Sequence, residues 1–118
     1  MKKTLRTKNM SNDILQGFDN IIKHVEINCL EKCTHDVMRS EVVALLMLWY
    51  VNSNDKPIWM NISINSADSK EYFEMELLDS NIDQIKIEKS SSVHDVIEWI
   101  NYELSSTKEK CDFDVFIQ

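Results

Sequence analysis

A few groups of side chains in this 118-residue sequence have the types and spacing that chemistry requires. Cys29, Cys33 and His35, with Asp36 next in the chain, form the first group. Two thiolates four residues apart share one face of a helix, and an imidazole beside them adds a further donor for a tetrahedral zinc ion. Cys111 or His24 would have to complete the set. The paired Cys-x-x-Cys spacing of structural zinc sites is missing, and Cys29 reads equally as a small buried hydrophobe with Cys33 and His35 at a helix end. His94, beside Asp95, falls in the first turn of a helix, where the dipole lowers imidazole basicity. No nucleophile is tied to it, so an exposed polar residue at the second helical position is the simpler reading. Glu74 and Glu76 stand on one face of a strand, about 7 Å apart, a spacing seen in acid–base pairs. Alternating charge on a solvated sheet face produces the same pattern. The chain has a single glycine and no Gly-x-Ser-x-Gly, which excludes Gly-rich phosphate cradles, dinucleotide fingerprints and the nucleophile elbow. The expectation is a protein that is not an enzyme and holds no cofactor and no metal.

Binding is the better prospect. The outward sheet face is expected to carry Trp59, Asn61, Ser63, Tyr72, Glu74 and Glu76, with Lys86 and Glu88 further along. Aromatic rings beside carboxylates suit a protein interface, since rings supply desolvated anchoring area and acids select a basic partner. Asp79 and Asp83 flank a turn, and Asp112 and Asp114, with Phe116, face outward on a last strand. The candidate partner-binding residues are therefore Trp59, Tyr72, Glu74, Glu76, Asp79, Asp83, Glu88, Asp112 and Asp114. If helices lay on both faces of the sheet, Trp59 and Tyr72 would instead be covered.

Charge points the same way. The chain carries −7, but Lys2, Lys3, Arg6 and Lys8 contribute +4, so residues 11–118 carry −11. A body this acidic repels nucleic acid and anionic lipid and attracts a basic protein. The plainer role of such charge is to keep a small protein in solution. An odd number of cysteines argues for a reducing, cytoplasmic compartment rather than a disulfide framework. The longest apolar run, residues 42–51, has about half the roughly 20 residues a membrane-spanning helix needs. The basic start is not followed by an apolar stretch, so it reads as a tail and not as a signal peptide.

The elements that must hold these residues follow from periodicity. Residues 1–10 are expected to be a disordered basic tail, and 11–118 a single α+β domain. Ile14, Phe18, Ile21, Ile22, Val25 and Cys29 recur at helical spacing behind Ser11 as N-cap, with Asp13 in the first turn; the helix should end near residues 30–33. Gly17 costs that helix about 1 kcal/mol relative to alanine. Residues 34–40 fit a short second helix. The run 42–51 has the length of either a helix or a strand buried on both faces; the turn over 52–57 and the clear strand after it favour a strand from about Val43. Ile58, Met60, Ile62 and Ile64 alternate with polar residues, and so do Phe73, Met75 and Leu77. In a fourth strand Ile85 and Ile87 are expected inward, with Lys86 and Glu88 outward. Ser92 and Asp95 open a last helix with the apolar stripe Val93, Val96, Ile97, Ile100 and Leu104. A final strand over 111–117 would run parallel to the fourth through a right-handed crossover. The fold class is α+β: a mixed, mostly antiparallel sheet of about five strands, with two or three helices mainly on one face.

In type, though in no motif, such a chain is similar to the immunity proteins with which bacteria neutralise basic nuclease toxins. The expected function is that of an acidic inhibitor, a monomer or weak homodimer, whose carboxylates occupy a toxin's basic cleft. The alternatives are a small metal-binding protein or enzyme using Cys29, Cys33 and His35, or an adaptor subunit of an oligomer.

Overall fold

The computed structural model describes residues 3–4, 9–105 and 107. The elements are β1 (Lys3–Thr4), α1 (Asn12–Asn28), β2 (Thr34–Arg39), β3 (Ala44–Val51), β4 (Pro57–Ala67), β5 (Lys70–Leu78), β6 (Gln84–Ser90) and α2 (Val93–Leu104). The fold is α+β. The long strands form one meander in the order β2-β3-β4-β5-β6, and β1 pairs with β4 at Asn65 and Ser66. Every pairing among the described residues is antiparallel. The expected strand over 111–117, on which a parallel pairing rested, lies outside the described residues. Within the stretch expected to be a basic tail, Lys3–Thr4 pair with β4 and Met10 is buried.

Alternation decides which side of the sheet is covered. Leu46, Leu48, Met60, Ile62, Ile64, Phe73 and Met75 all project from one face and are fully buried. Phe18, Ile21 and Val25 of α1 and Val96 and Ile100 of α2 close over them as a single core. Both helices thus lie on the same side, and their apolar stripes are the ones their spacing predicts. Gly17 is what lets them approach: a Cβ there would meet Val93 Cγ2 at 2.8 Å and Phe73 Cζ at 3.0 Å.

The caps are built as expected, with one variation. Ser11 caps α1 by accepting from the Ile14 N–H at 3.3 Å, and its own N–H and hydroxyl donate to the Glu71 carboxylate at 2.9 and 2.6 Å. This ties the helix start to β5. Ser92 caps α2 by accepting from the Asp95 N–H. Asp95 does not return the bond to Ser92. It accepts from the Ser90 hydroxyl at 2.7 Å, and that hydroxyl accepts from the Ser92 N–H at 3.0 Å, so the capping box closes through a third residue.

Two assignments change. Of residues 34–40, which are ambiguous by sequence and fit a short helix, Thr34–Arg39 form strand β2 instead. Its six residues carry no decisive period of their own, and the ladder to β3 decides their state. His35, Val37 and Arg39 fall opposite Leu48, Leu46 and Ala44, on the helix side, where His35 meets Glu26 at 3.1 Å and Arg39 meets Asp19 at 3.0 Å. The faces of β6 are also reversed. Lys86, Glu88 and Ser90 fall opposite the core residues Leu77, Met75 and Phe73, whereas Ile85 and Ile87 turn away from the helices and are 54% and 38% exposed. A register shift between Leu77 and Leu78 skips Ile85. In a strand, a slip of one position exchanges the faces, and that register is set by the partner strand, not by local alternation. The polar residues on the covered side of this edge strand reach for α2: Lys86 Nζ binds Glu103 at 2.9 Å.

Candidate functional site

The sheet face turned away from the helices is the candidate site. Its side chains stand in rows across the strands. One row runs Thr34, Trp49, Trp59, Leu78; the next runs Asp36, Met47, Asn61, Glu76, Ile87; a third runs Met38, Leu45, Ser63, Glu74, Lys89. Trp49 and Trp59 sit directly opposite each other and meet edge to face, with ring centroids 6.3 Å apart. Trp59 is 42% exposed, a large value for a tryptophan in the middle strand of a sheet. On one side of it lies a depression of about 320 Å³ bounded by Met47, Asn61, Leu78, Ser80 and Ile82. On the other lies a smaller one of about 140 Å³ reaching Thr34, Asp36 and Trp49.

Several carboxylates share this face or the loops at the same end of the sheet. Asp36 and Glu76 lie in the row beside Trp59, and Asp79 and Asp83 lie in the loop from β5 to β6. Asp55 lies in the loop from β3 to β4, at the same end of the sheet, with Lys56 as the nearest cation in sequence. Glu76 accepts from the Gln84 amide at 2.7 Å. One oxygen of Asp79 is committed to its own turn, where it accepts from the N–H groups of Asn81 and Asp83 at 2.9 and 3.0 Å.

Of the predicted partner-binding residues, Trp59, Glu76, Asp79 and Asp83 are brought together at this end of the sheet. Tyr72 shares the face but lies several rows away, half-buried, with Lys89 Nζ 5.7 Å from its ring centroid. Two placements are corrections. Glu74, expected on a solvated face, is only 3% exposed, and Asn65 in the neighbouring row is buried with it. This face is therefore closed to solvent around Glu74 and Asn65, while Met38 and Lys89 in the Glu74 row and Trp59 at the other end stay exposed. Glu88, expected outward, lies on the helix side opposite Met75. Asp112 and Asp114 lie outside the described residues.

Trp49, Met47, Leu78 and Ile82 belong to the site and were missed from sequence. An unbroken apolar run over 42–51 hides Trp49, because it predicts cover on both faces where the burial of β3 in fact alternates. A signal was available: a hairpin loop over 52–56 sets Val51 against Pro57, and counting back along the ladder puts Trp49 against Trp59.

The other chemical candidates are not assembled into sites. Cys29 and Cys33 are buried, and the Cys33 thiol donates to the Cys29 carbonyl at 3.3 Å. His35 faces Glu26, and Cys111 lies outside the described residues. Among the described residues no three His, Cys, Asp or Glu side chains converge on a common point. Burial pushes the Cys29 thiol up, with the Lys32 ammonium opposing it in part, so it stays protonated and unreactive at neutral pH. His94 is exposed and pairs with Glu98 one turn along α2 at 2.8 Å. His24 bridges the helices, with Nε2 3.0 Å from Asn101 Oδ1 and Nδ1 3.2 Å from Asn28 Nδ2. A larger recess of about 410 Å³ near the start of α1 is lined by Ser11, Asp13, Lys70 and Glu71, where Ser11 and Glu71 already satisfy each other.

The architecture is thus a two-layer α+β protein with one sheet face given to the core and part of the other left to solvent. Compared with known protein families, curated proteins and solved structures, the chain matches none. No helix among the described residues is long and apolar enough to cross a membrane.

Proposed function

We propose that this protein is a stoichiometric binding protein, an acidic inhibitor of the immunity-protein type, which captures a basic protein such as a nuclease toxin on the tryptophan end of its sheet. The observation that carries the reading is Trp59, held half-exposed against Trp49 at the end of the sheet where Glu76, Asp79 and Asp83 also lie. An aromatic in a desolvated centre with a charged rim is the usual build of an interface hot spot. The two parts divide the work. Rim acids raise the encounter rate and reject acidic partners, and the rings hold the complex once water is expelled. Carboxylates at the rim take the place that phosphates would occupy in the partner's basic cleft.

The test is capture of the basic partner from the source cell, followed by a titration. Trp59→Ala should cost about 2 kcal/mol or more of binding, with the fold intact. Glu76→Lys should slow association, and wild-type association should slow steeply as salt rises. Binding that is indifferent to Trp59→Ala, or a partner with no basic surface, would remove the reading.

A further inference from the structure

The two loops at the tryptophan end of the sheet are the same structure built twice. One is Asn52-Ser53-Asn54-Asp55-Lys56, and the other is Asp79-Ser80-Asn81-Ile82-Asp83. In each, the first side chain's Oδ1 accepts from the N–H groups of the third and fifth residues, at 2.9 and 3.0 Å in both loops. In each, the first N–H donates to the fifth carbonyl and the fourth N–H donates to the first carbonyl, all at 2.9–3.0 Å. In each, the fourth residue is left-handed, with φ 61° at Asp55 and φ 63° at Ile82.

The difference lies in what occupies that fourth position. Aspartate tolerates the left-handed region, because its short polar side chain bonds locally. Isoleucine is among the residues least suited to it, since a branched Cβ collides with the following backbone. The Asp55 loop shows that the geometry does not require an apolar residue. Nor does the core, because Ile82 is 75% exposed. Its side chain instead lines the depression beside Trp59, together with Met47 and Leu78.

We infer that Ile82 is a strained contact residue kept for binding: it forms the outer wall of a recess that takes an apolar side chain flanked by cations on a basic protein partner. This rests on the docking reading above and adds to it which residue selects for an apolar group. Charge decides the occupant. Asp79 and Asp83 share the loop with Ile82, and Glu76 lies on β5 shortly before it, so a lysine- or arginine-flanked apolar residue is matched and a second copy of this acidic chain is repelled. Strained residues that gather at ligand contacts are a recurrent device, because the fold holds the side chain in place before the partner arrives.

The experiment compares wild type, Ile82→Asn, Asp55→Ile and Trp59→Ala in urea unfolding, and in titrations followed by tryptophan fluorescence. The probes are a peptide of alternating lysine and leucine and an oligolysine of the same charge. Ile82→Asn relieves the strain, so its unfolding constant should fall by about five-fold or more. Asp55→Ile should raise the constant by a similar factor. The lysine–leucine peptide should bind Ile82→Asn about ten-fold more weakly than wild type, while oligolysine binding stays the same. If Ile82→Asn is no more stable than wild type, or binds the mixed peptide as well while Trp59→Ala binds it worse, the role given to Ile82 is wrong and the docking reading stands. If neither variant changes peptide binding, or wild type shows no saturable binding, both fall.

Discussion

Gly17 shows how a single residue sets what surrounds it. Its neighbours on α1 favour helix, and alanine in its place would relieve about 1 kcal/mol of helix cost. The space is already taken, however: the Val93 methyl and the Phe73 ring stand at 2.8 and 3.0 Å from where the new carbon would lie. Overpacking of this kind costs about 1–3 kcal/mol, so Gly17→Ala should lower stability in urea titration despite the better propensity. A net gain would mean that α1 and α2 can part without loss. Tyr50 makes a second prediction at this scale. Its ring lies on the covered face of β3, opposite Ile58, and burial pushes the phenol well above its ordinary 10.0, with the Glu103 carboxylate and the Cys33 thiol adding to the rise. The neutral phenol is therefore favoured in the folded state. Its contribution is complete below about pH 10 and is lost as the unfolded chain begins to ionise above it. Lys86 acts in the same direction, its pKa raised chiefly by the hydrogen bond to Glu103, so its pairing is also lost at high pH. Stability measured from pH 8 to 12 should fall above pH 10, and Tyr50→Phe should flatten much of the fall.

Elements add what residues alone do not decide. The start of α2 depends on Ser90, Ser92 and Asp95 acting together, one serine lying in the strand before the helix. Ser92→Ala should cost about 1 kcal/mol. Ser90→Ala should cost a comparable amount, because it removes the relay between the Ser92 N–H and the Asp95 carboxylate. The check is a double-mutant cycle: strong non-additivity is expected, and independent losses would show that the two serines cap separately. At this scale the sequence was legible wherever an element carries its own period. Both helices and the strands Pro57–Ala67 and Lys70–Leu78 fall where their spacing puts them, though α1 stops at Asn28, short of the expected 30–33. β2 did not yield its state and β6, expected as a strand, did not yield its facing, because both are edge strands with polar residues on each face. The state of β2 and the facing of β6 come from the strand alongside.

On the scale of the whole molecule, charge is the governing quantity. Residues 11–118 carry −11 against +4 from the first ten, so the folded body repels itself at low ionic strength. Added salt should raise its thermal midpoint modestly while slowing capture of a basic partner, two opposite responses to one screening length. If salt left both unchanged, the acids would be too dispersed to act as a surface. The net charge was plain from composition, but its placement was not. Of the acids expected outward, Glu76 does lie beside Trp59, Glu74 is sealed in, and Glu88 is turned to the helices.

Composition and spacing by themselves determined an α+β chain with two amphipathic helices, alternating strands, a strong negative charge and no room for glycine-dependent phosphate chemistry. These are local or summed properties, readable without knowing what lies next to what. Only the tertiary structure decided that Trp49 meets Trp59, that Glu74 is buried on the outer sheet face while Trp59 is exposed, and that the same loop occurs twice with an isoleucine where an aspartate serves in its twin. The physical reason is register. Ladder pairing joins residues far apart in sequence, one step of slip exchanges faces, and no single strand contains the information that sets it.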